Sequence, residues 1–371
     1  MRVLYVALAS VSAAALAVSS AAAQHSHDFP AISGGAHVEL KYESFSSDDP
    51  AVDGSDLLLE AETFLLWEIS PNVALRTDWK LEPQRDRDPG EERWLEDHGL
   101  SVESLYAVLT FDPVTVTAGK FAQNFQLGSE LVPGVFGEEF NEETEVEERW
   151  GIGASVGFGG GDTARFDVGA SVFTRDRTFL SESLGTNRGR LRAAAGGPGN
   201  TGDLDNWLVS VDVTQIPGAE GLWLHGAYMQ QSAGDGDPTD QSAWYLGAVW
   251  QIEAGDGVFV TPILTYASSD DAVGFGEPES GVGYESDFVV AALAYNNGPW
   301  EGVVTFGKET KDEPPVSEEK ELWQLSLAYA FSHDWKAAVA WLHEDEDGTK
   351  TDKIGLKLEY HFGFGPHGHD H

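Results

Sequence analysis

The 371-residue chain has no cysteine and only 2 methionines, and its 22 Lys and Arg face 62 Asp and Glu, a formal charge of −40 at pH 7. The missing cysteines exclude a disulfide framework, a thiolate metal site and a thiol nucleophile. The shortage of cations excludes nucleic acid as a partner, because so acidic a chain repels a phosphate backbone. After residue 23 no window holds the roughly 18 consecutive apolar residues that a spanning helix needs. Catalytic motifs are also lacking: there is no G-x-S-x-G, no H-E-x-x-H and no phosphate-cradling glycine loop before a helix. Disorder is excluded by what is present, since 41% hydrophobic and 11% aromatic residues suffice for ordered structure.

Residues 1–23 combine Arg2, an apolar stretch from Val3 to Val18 and the A-x-A pattern Ala21-Ala22-Ala23 before Gln24. Together these predict a signal peptide that directs export and is then removed. An exported chain that spans a membrane without an apolar helix must do so as a β-barrel.

Apolar residues recur at every second position along the chain. In 164–172, Ala164, Phe166, Val168, Ala170 and Val172 share one face while Arg165 and Asp167 lie on the other. The same pattern runs through 73–80, 152–158, 207–213 and 354–362. Such alternation predicts strands with one apolar and one polar face. Turn signals at 70–72, 112–113, 159–162, 217–218, 255–257, 297–299 and 332–334 alternate with longer acidic or Gly/Pro-rich stretches. The longer stretches are 46–55, 83–98, 125–148, 177–203, 233–241, 270–283, 311–320 and 345–351.

Strands placed between these breaks number about sixteen, and single-chain bacterial barrels have an even number. The expectation is an all-β fold: a transmembrane antiparallel up-and-down β-barrel over 36–362, with short periplasmic turns and long outer loops. A His-containing periplasmic segment, 24–35, precedes the barrel and a His-rich tail, 363–371, follows it. The facing of the fourth and fifth strands (99–111 and 114–124) is ambiguous from the sequence. Trp244 and Trp250 share a face six residues apart, as do Trp335 and Trp341. Six residues span about 20 Å, which suits two interfacial girdles. Lys353 to Phe362 resembles the terminal signal by which outer-membrane proteins reach their assembly machinery, here followed by nine further residues.

The polar strand faces predict the lining of a lumen. Its candidates are Glu60, Glu62, Arg76, Asp78, Lys80, Arg165, Asp167, Asp212, His225, Lys357 and Glu359, with His37, Glu39, Lys41, Glu43 and His361 beside them. Mixed rings of charge of this kind set ion selectivity in channels. Residues 125–148 join an apolar stretch, Phe125 to Phe136, to an acidic run with Glu138, Glu139, Glu142, Glu143 and Glu145. Folded inward, this segment narrows a pore and concentrates cations; folded outward, it is a solvated acidic loop. Arg188, Arg190 and Arg192 form the one basic cluster downstream of the signal. His25, His27, His367, His369 and His371 sit at the two ends of the exported chain, and imidazoles gathered there suit Zn²⁺, Cu²⁺ or Ni²⁺.

Thr117-Ala-Gly119-Lys120-Phe121, with Gly137-Glu138 and Arg149-Trp150-Gly151, resembles the central region of the LbtU-type siderophore porins. It is also similar to the phosphate-selective and carbohydrate porins. The resemblance implies a passive or receptor-like outer-membrane channel, for ferric siderophores in the LbtU case. The phosphate branch would need a run of lumen Lys or Arg that this chain lacks.

The reading as a whole is a cation-preferring porin for small solutes in the outer membrane of a Gram-negative bacterium. It would act without a cofactor, in contact with outer-membrane lipid and lipopolysaccharide. Two rival classes are a barrel enzyme of the same membrane and a soluble secreted β-rich binding protein. An enzyme would need a Ser/His/acid set at one rim, and Asp97, His98 and Ser101 are too close in sequence to form one.

Overall fold

The computed structural model describes residues 29–85, 87, 90–128, 130–272, 284–313 and 316–366. Period-2 patterning becomes wall structure directly. In Asn206–Thr214 the side chains of Leu208, Ser210 and Asp212 turn inward and are buried, while Trp207, Val209 and Val211 are exposed outside. That arrangement inverts a soluble protein and suits a surface wetted by lipid.

Sixteen strands form the wall. The first eight are β1 (Ala31–Ser47), β2 (Gly54–Ser70), β3 (Val73–Pro83), β4 (His98–Phe111), β5 (Val114–Phe121), β6 (Arg149–Gly159), β7 (Arg165–Arg175) and β8 (Asn206–Thr214). Next come β9 (Leu222–Gln231), β10 (Gln241–Trp250, prolonged by Ile252–Gly255), β11 (Val258–Ala272) and β12 (Tyr284–Asn297). The last four are β13 (Trp300–Glu313), β14 (Val316–Ala330), β15 (Trp335–Glu346) and β16 (Thr349–Phe364). Each pairs antiparallel with its chain neighbours, and β16 closes on β1 from Gly34↔Phe364 to Ser47↔Thr351. No α-helix occurs among the described residues.

Strand ends depart from the expected spans at several points. The first strand begins at Ala31 rather than 36, and the last continues past Phe362 to Phe364. The stretches 311–320 and 345–351, read as loops from their charge, are mostly strand. Opposite charges make this possible by standing across the ladder: Lys308 pairs in register with Glu321 and reaches Glu319 at 3.0 Å. The fifth strand ends at Phe121 rather than 124, where the chain turns into the barrel.

A bulge accounts for the unreadable facing of β4. Asp78 pairs with Ser104 but Trp79 pairs with Val102, so Glu103 is an extra residue. Ser101 is inward before it, and Ser104, Tyr106 and Val108 are inward after it, which reverses the parity of the alternation.

The outer face carries two rows of aromatic side chains. Trp300–Tyr329 and Trp335–Tyr360 pack as tilted rings on neighbouring strands with centroids 4.6 Å apart. Six residues along the same strands, Phe306 and Trp323 pack as tilted rings 4.6 Å apart and Trp341 is exposed beside them. Trp250 and Trp244 hold the corresponding places on β10, and both are exposed. Leu325, Leu327, Val339 and Leu356 fill the band between the rows.

Candidate functional site

The interior is organised by residues 122–148, which leave β5, fold into the lumen and return to β6. Their apolar part has a wall to pack on, because β9–β15 turn Met229, Tyr245, Phe288, Leu322 and Leu342 inward. Phe125, Leu127, Leu131, Val132, Val135, Phe136 and Phe140 bury themselves against that wall. Burial is worth about 1.5–3 kcal/mol for each large apolar side chain, which offsets the cost of ordering the segment.

Glycines in the wall receive the loop. A Cβ on Gly247 would stand 2.3 Å from Leu127, one on Gly307 2.8 Å from Phe140, and one on Gly355 2.7 Å from Phe136 and Val135. Each strand glycine is therefore a socket that any side chain would fill. Gln324 of β14 supplies the polar lock. Its Oε1 accepts from Phe136 N at 2.9 Å, and its Nε2 donates to Pro133 O and Thr305 Oγ1 at 3.2 Å.

At the loop's root, Asn124 Nδ2 donates to Asp212 Oδ2 at 3.2 Å. His225 Nδ1 lies 2.9 Å from Asp212 Oδ1, and its Nε2 lies 3.1 Å from Phe125 O.

The other half of the wall, β16 with β1–β3, is charged. Like charges stand directly opposite one another there, Glu39↔Glu359 and Lys41↔Lys357, so ion pairs run along and across the strands instead. Lys357 reaches Glu39 at 2.8 Å and Glu359 at 2.7 Å; Lys41 reaches Glu43 at 3.2 Å and Glu60 at 3.8 Å. Lys80 lies between Glu62 (3.6 Å) and Glu82 (3.4 Å).

The acidic edge of the loop faces this half. Glu139 receives Lys353 Nζ at 3.0 Å. Glu138 is exposed to lumen solvent but walled in by the barrel. That enclosure acts against its charge, yet Lys80, Lys41 and Lys357 outweigh it and hold the carboxyl down at about 2. Glu139 is likewise held below the ordinary range, with Lys353 overcoming burial. Further along the loop the balance reverses. Burial pushes Glu145 up to about 8; Lys80 opposes the shift, while Glu138, Glu142 and Glu103 reinforce it. Burial and the Glu145 carboxylate push Glu147 well above its usual value. One loop thus presents carboxylates that stay charged and carboxylates that hold protons near neutrality.

All eleven wall residues expected from the sequence lie on inward faces, but they divide into two groups. Glu60, Glu62, Arg76, Asp78, Lys80, Lys357 and Glu359 cluster on the charged half. Arg165 and Asp167 pair with each other at 2.6 Å on β7. Asp212 and His225 do not border open lumen: they are buried beneath Asn124 and Phe125, where they hold the loop root.

Glu138, Glu139, Glu142 and Glu145 all belong to the inner loop, Glu142 on its exposed side. The side chain of Glu143 lies outside the described residues, as do His25, His27, His367, His369 and His371. Sequence reasoning missed Glu103, which sits at the bulge where the parity of the strand changes, and Lys353, the partner of Glu139.

The segments 117–121 and 149–151 meet as register partners at the loop root, Gly119↔Gly151 and Phe121↔Arg149. A Cβ on Gly119 would stand 2.3 Å from Leu105 O, so this motif serves close backbone approach. Lys120 shares the outward face of its partner Leu105 and is fully buried, 3.0 Å from Asp176 and 3.1 Å from Glu148. Residues 176–192 cover it: Leu184 and Gly185 pair with Leu100 and Gly99 of β4, above the end of the short β5. Arg188, exposed on this cover, pairs with Glu148 at 2.5 Å.

A closed sixteen-stranded barrel with an apolar outer band and a loop folded into its charged lumen has the fold of the outer-membrane porins. The chain is similar to the outer membrane channel DcaP of Acinetobacter baumannii, with 11% identity, 89% of this chain and 96% of that one covered, and a TM-score of 0.55. It is similar to an anion-selective porin from Comamonas acidovorans at 9% identity, with 89% and 98% covered and a TM-score of 0.54. OpdK of Pseudomonas aeruginosa, solved with vanillate, matches at 8% identity, with 90% and 99% covered and a TM-score of 0.53. No protein-family model and no curated protein matches the chain. At these identities the likeness is one of fold.

Proposed function

We propose that the protein is a porin of the Gram-negative outer membrane that passes small solutes by diffusion and prefers cations. The observation that carries this reading is the acidic edge formed by Glu138 and Glu139, which stands in the lumen opposite the lysines of β1, β3 and β16. Carboxylates on one side and ammonium groups on the other set up a field across the passage, and a solute must reorient in that field to pass. The excess of acid over base in the chain favours cations in the passage. The outer apolar band and the two aromatic rows support placement in a bilayer. Acidic outer loops suit bridging to lipopolysaccharide through divalent ions, and the final strand suits delivery by the assembly machinery.

Reversal potentials in planar bilayers under a salt gradient test the preference. The expected sign is that of a cation-selective pore, moving towards zero when Glu138 and Glu139 are both changed to Gln; an anionic sign refutes the preference. The resemblance to the LbtU-type porins adds ferric siderophores as candidate solutes, on the support of the loop-root motif alone. Occlusion of single-channel current by a ferric siderophore at micromolar concentration would support that narrower reading, and unaltered current would count against it.

A further inference from the structure

We propose that the seam of the barrel carries a divalent transition-metal site, with His37, His361 and Glu359 as ligands and Glu39 completing the set. His37 lies on the first strand and His361 on the last, paired in register where the barrel closes. Their rings stack with centroids 4.2 Å apart and planes 10° from parallel. One ligand atom from each of His37, His361 and Glu359 lies within 4.8 Å of the others.

Zinc bonds of about 2.0–2.1 Å place tetrahedral ligands about 3.3 Å apart. Binding would require the two rings to rotate out of their stack so that both nitrogens point at one ion. Glu39 Oε1 lies 3.1 Å from His37 Nε2 but makes no aligned hydrogen bond with it, so that nitrogen is available to a metal.

The surroundings suit a cation. Glu39 and Glu359, with Glu130 of the inner loop 3.8 Å from His37 Nδ1, face two ammonium groups, Lys357 and Lys336. Lys357 holds Glu39 and Glu359 at 2.8 and 2.7 Å and Lys336 holds Glu359 at 2.7 Å, so both carboxylates are already oriented, as partners behind a metal's own ligands orient them. Two imidazoles with carboxylates select Zn²⁺, Cu²⁺ or Ni²⁺ over Mg²⁺ or Ca²⁺. Such an ion would join the first strand to the last and staple the closure of the sheet.

The test is independent of conduction. Full-length protein with His25, His27, His367, His369 and His371 changed to Ser is folded in detergent and titrated with Zn²⁺ by calorimetry. One Zn²⁺ per chain is expected, with affinity lowered at least about tenfold by His37→Ala or by His361→Ala. Zn²⁺ should also raise the unfolding temperature of the parent, and Mg²⁺ should not. Heat-modifiable gel mobility verifies that each variant is a folded barrel. Where an Ala variant does not fold, His361→Gln and Glu359→Gln take its place. No Zn²⁺ binding by the parent, or unchanged affinity in the folded variants, overturns the proposal.

Discussion

Replacing Gly355 by alanine sets the inner loop against the wall. The added Cβ would stand 2.7 Å from both Phe136 Cζ and Val135 Cγ1, and 3.1 Å from Phe136 Cε2. Carbon atoms rest about 3.5–4.0 Å apart, so one side must give by about 1 Å. The wall is poorly placed to do so, because Gly355 is paired with Glu43 on one side and Ala340 on the other. The loop therefore moves. Overpacking of this kind costs about 1–3 kcal/mol, whereas Phe136→Ala, which empties the same socket, costs about 3–5 kcal/mol.

The two changes share one contact and should not add. The double variant should be more stable than the sum of the singles by about 1 kcal/mol, with the rest of the clash persisting through Val135. Unfolding of the refolded barrel in denaturant measures all four corners of the cycle, and limited proteolysis within residues 122–148 reports loop release separately. Additive stabilities, or a loop in Gly355→Ala as resistant to protease as the parent, would refute the socket.

Three further outcomes follow from the same geometry. Changing Gln324 to Leu strips Phe136 N–H and Pro133 O of their partner, with an expected loss of about 1–3 kcal/mol and faster cleavage of the inner loop. Lys120→Met leaves Glu148 and Asp176 without their shared buried cation and should cost about 3–5 kcal/mol in denaturant unfolding. Glu145, with its carboxyl pushed up to about 8, is neutral below that pH and gains its charge as pH rises through it. Its contribution to stability is full below the unfolded value, near 4.5, and is lost as pH rises through about 8. In bilayers the proposed cation preference should increase as pH rises through about 8, and Glu145→Gln should flatten the rise.

The wall was legible because a barrel strand needs only alternation, and alternation is local. All sixteen strands follow from it, with ends shifted by a few residues. Charge misled at 311–320, where Lys311 and Glu318 are register partners on neighbouring strands rather than loop residues. Parity failed at Glu103, because one inserted residue is invisible to a pattern count.

The direction of residues 125–148 was not legible from the segment itself, since docking depends on glycines 120 and more residues away. A signal did exist elsewhere. Phe288, Val290, Ala292 and Ala294 point inward and are buried, while Leu293 and Tyr295 point outward, so β12 is apolar on both faces. A water-filled lumen would not require that, and something apolar had to cover the inner face. Asp212 and His225 read as lining for the same reason: a polar inward residue looks alike whether it meets water or a loop carbonyl.

The cover that residues 176–192 place over the end of β5 bears on how the barrel is assembled. Nearly every wall contact joins strands adjacent in sequence, so the sheet can grow hairpin by hairpin. The pairing of Leu184–Gly185 with Gly99–Leu100 is different: it must wait until β5, the inner loop, β6 and β7 have all been laid down. Contacts across long sequence separations form late. Until that pairing forms, the sheet has a window in its side, beside the partly buried Glu148 and the buried Asp176, and the patch drawn across it closes that window.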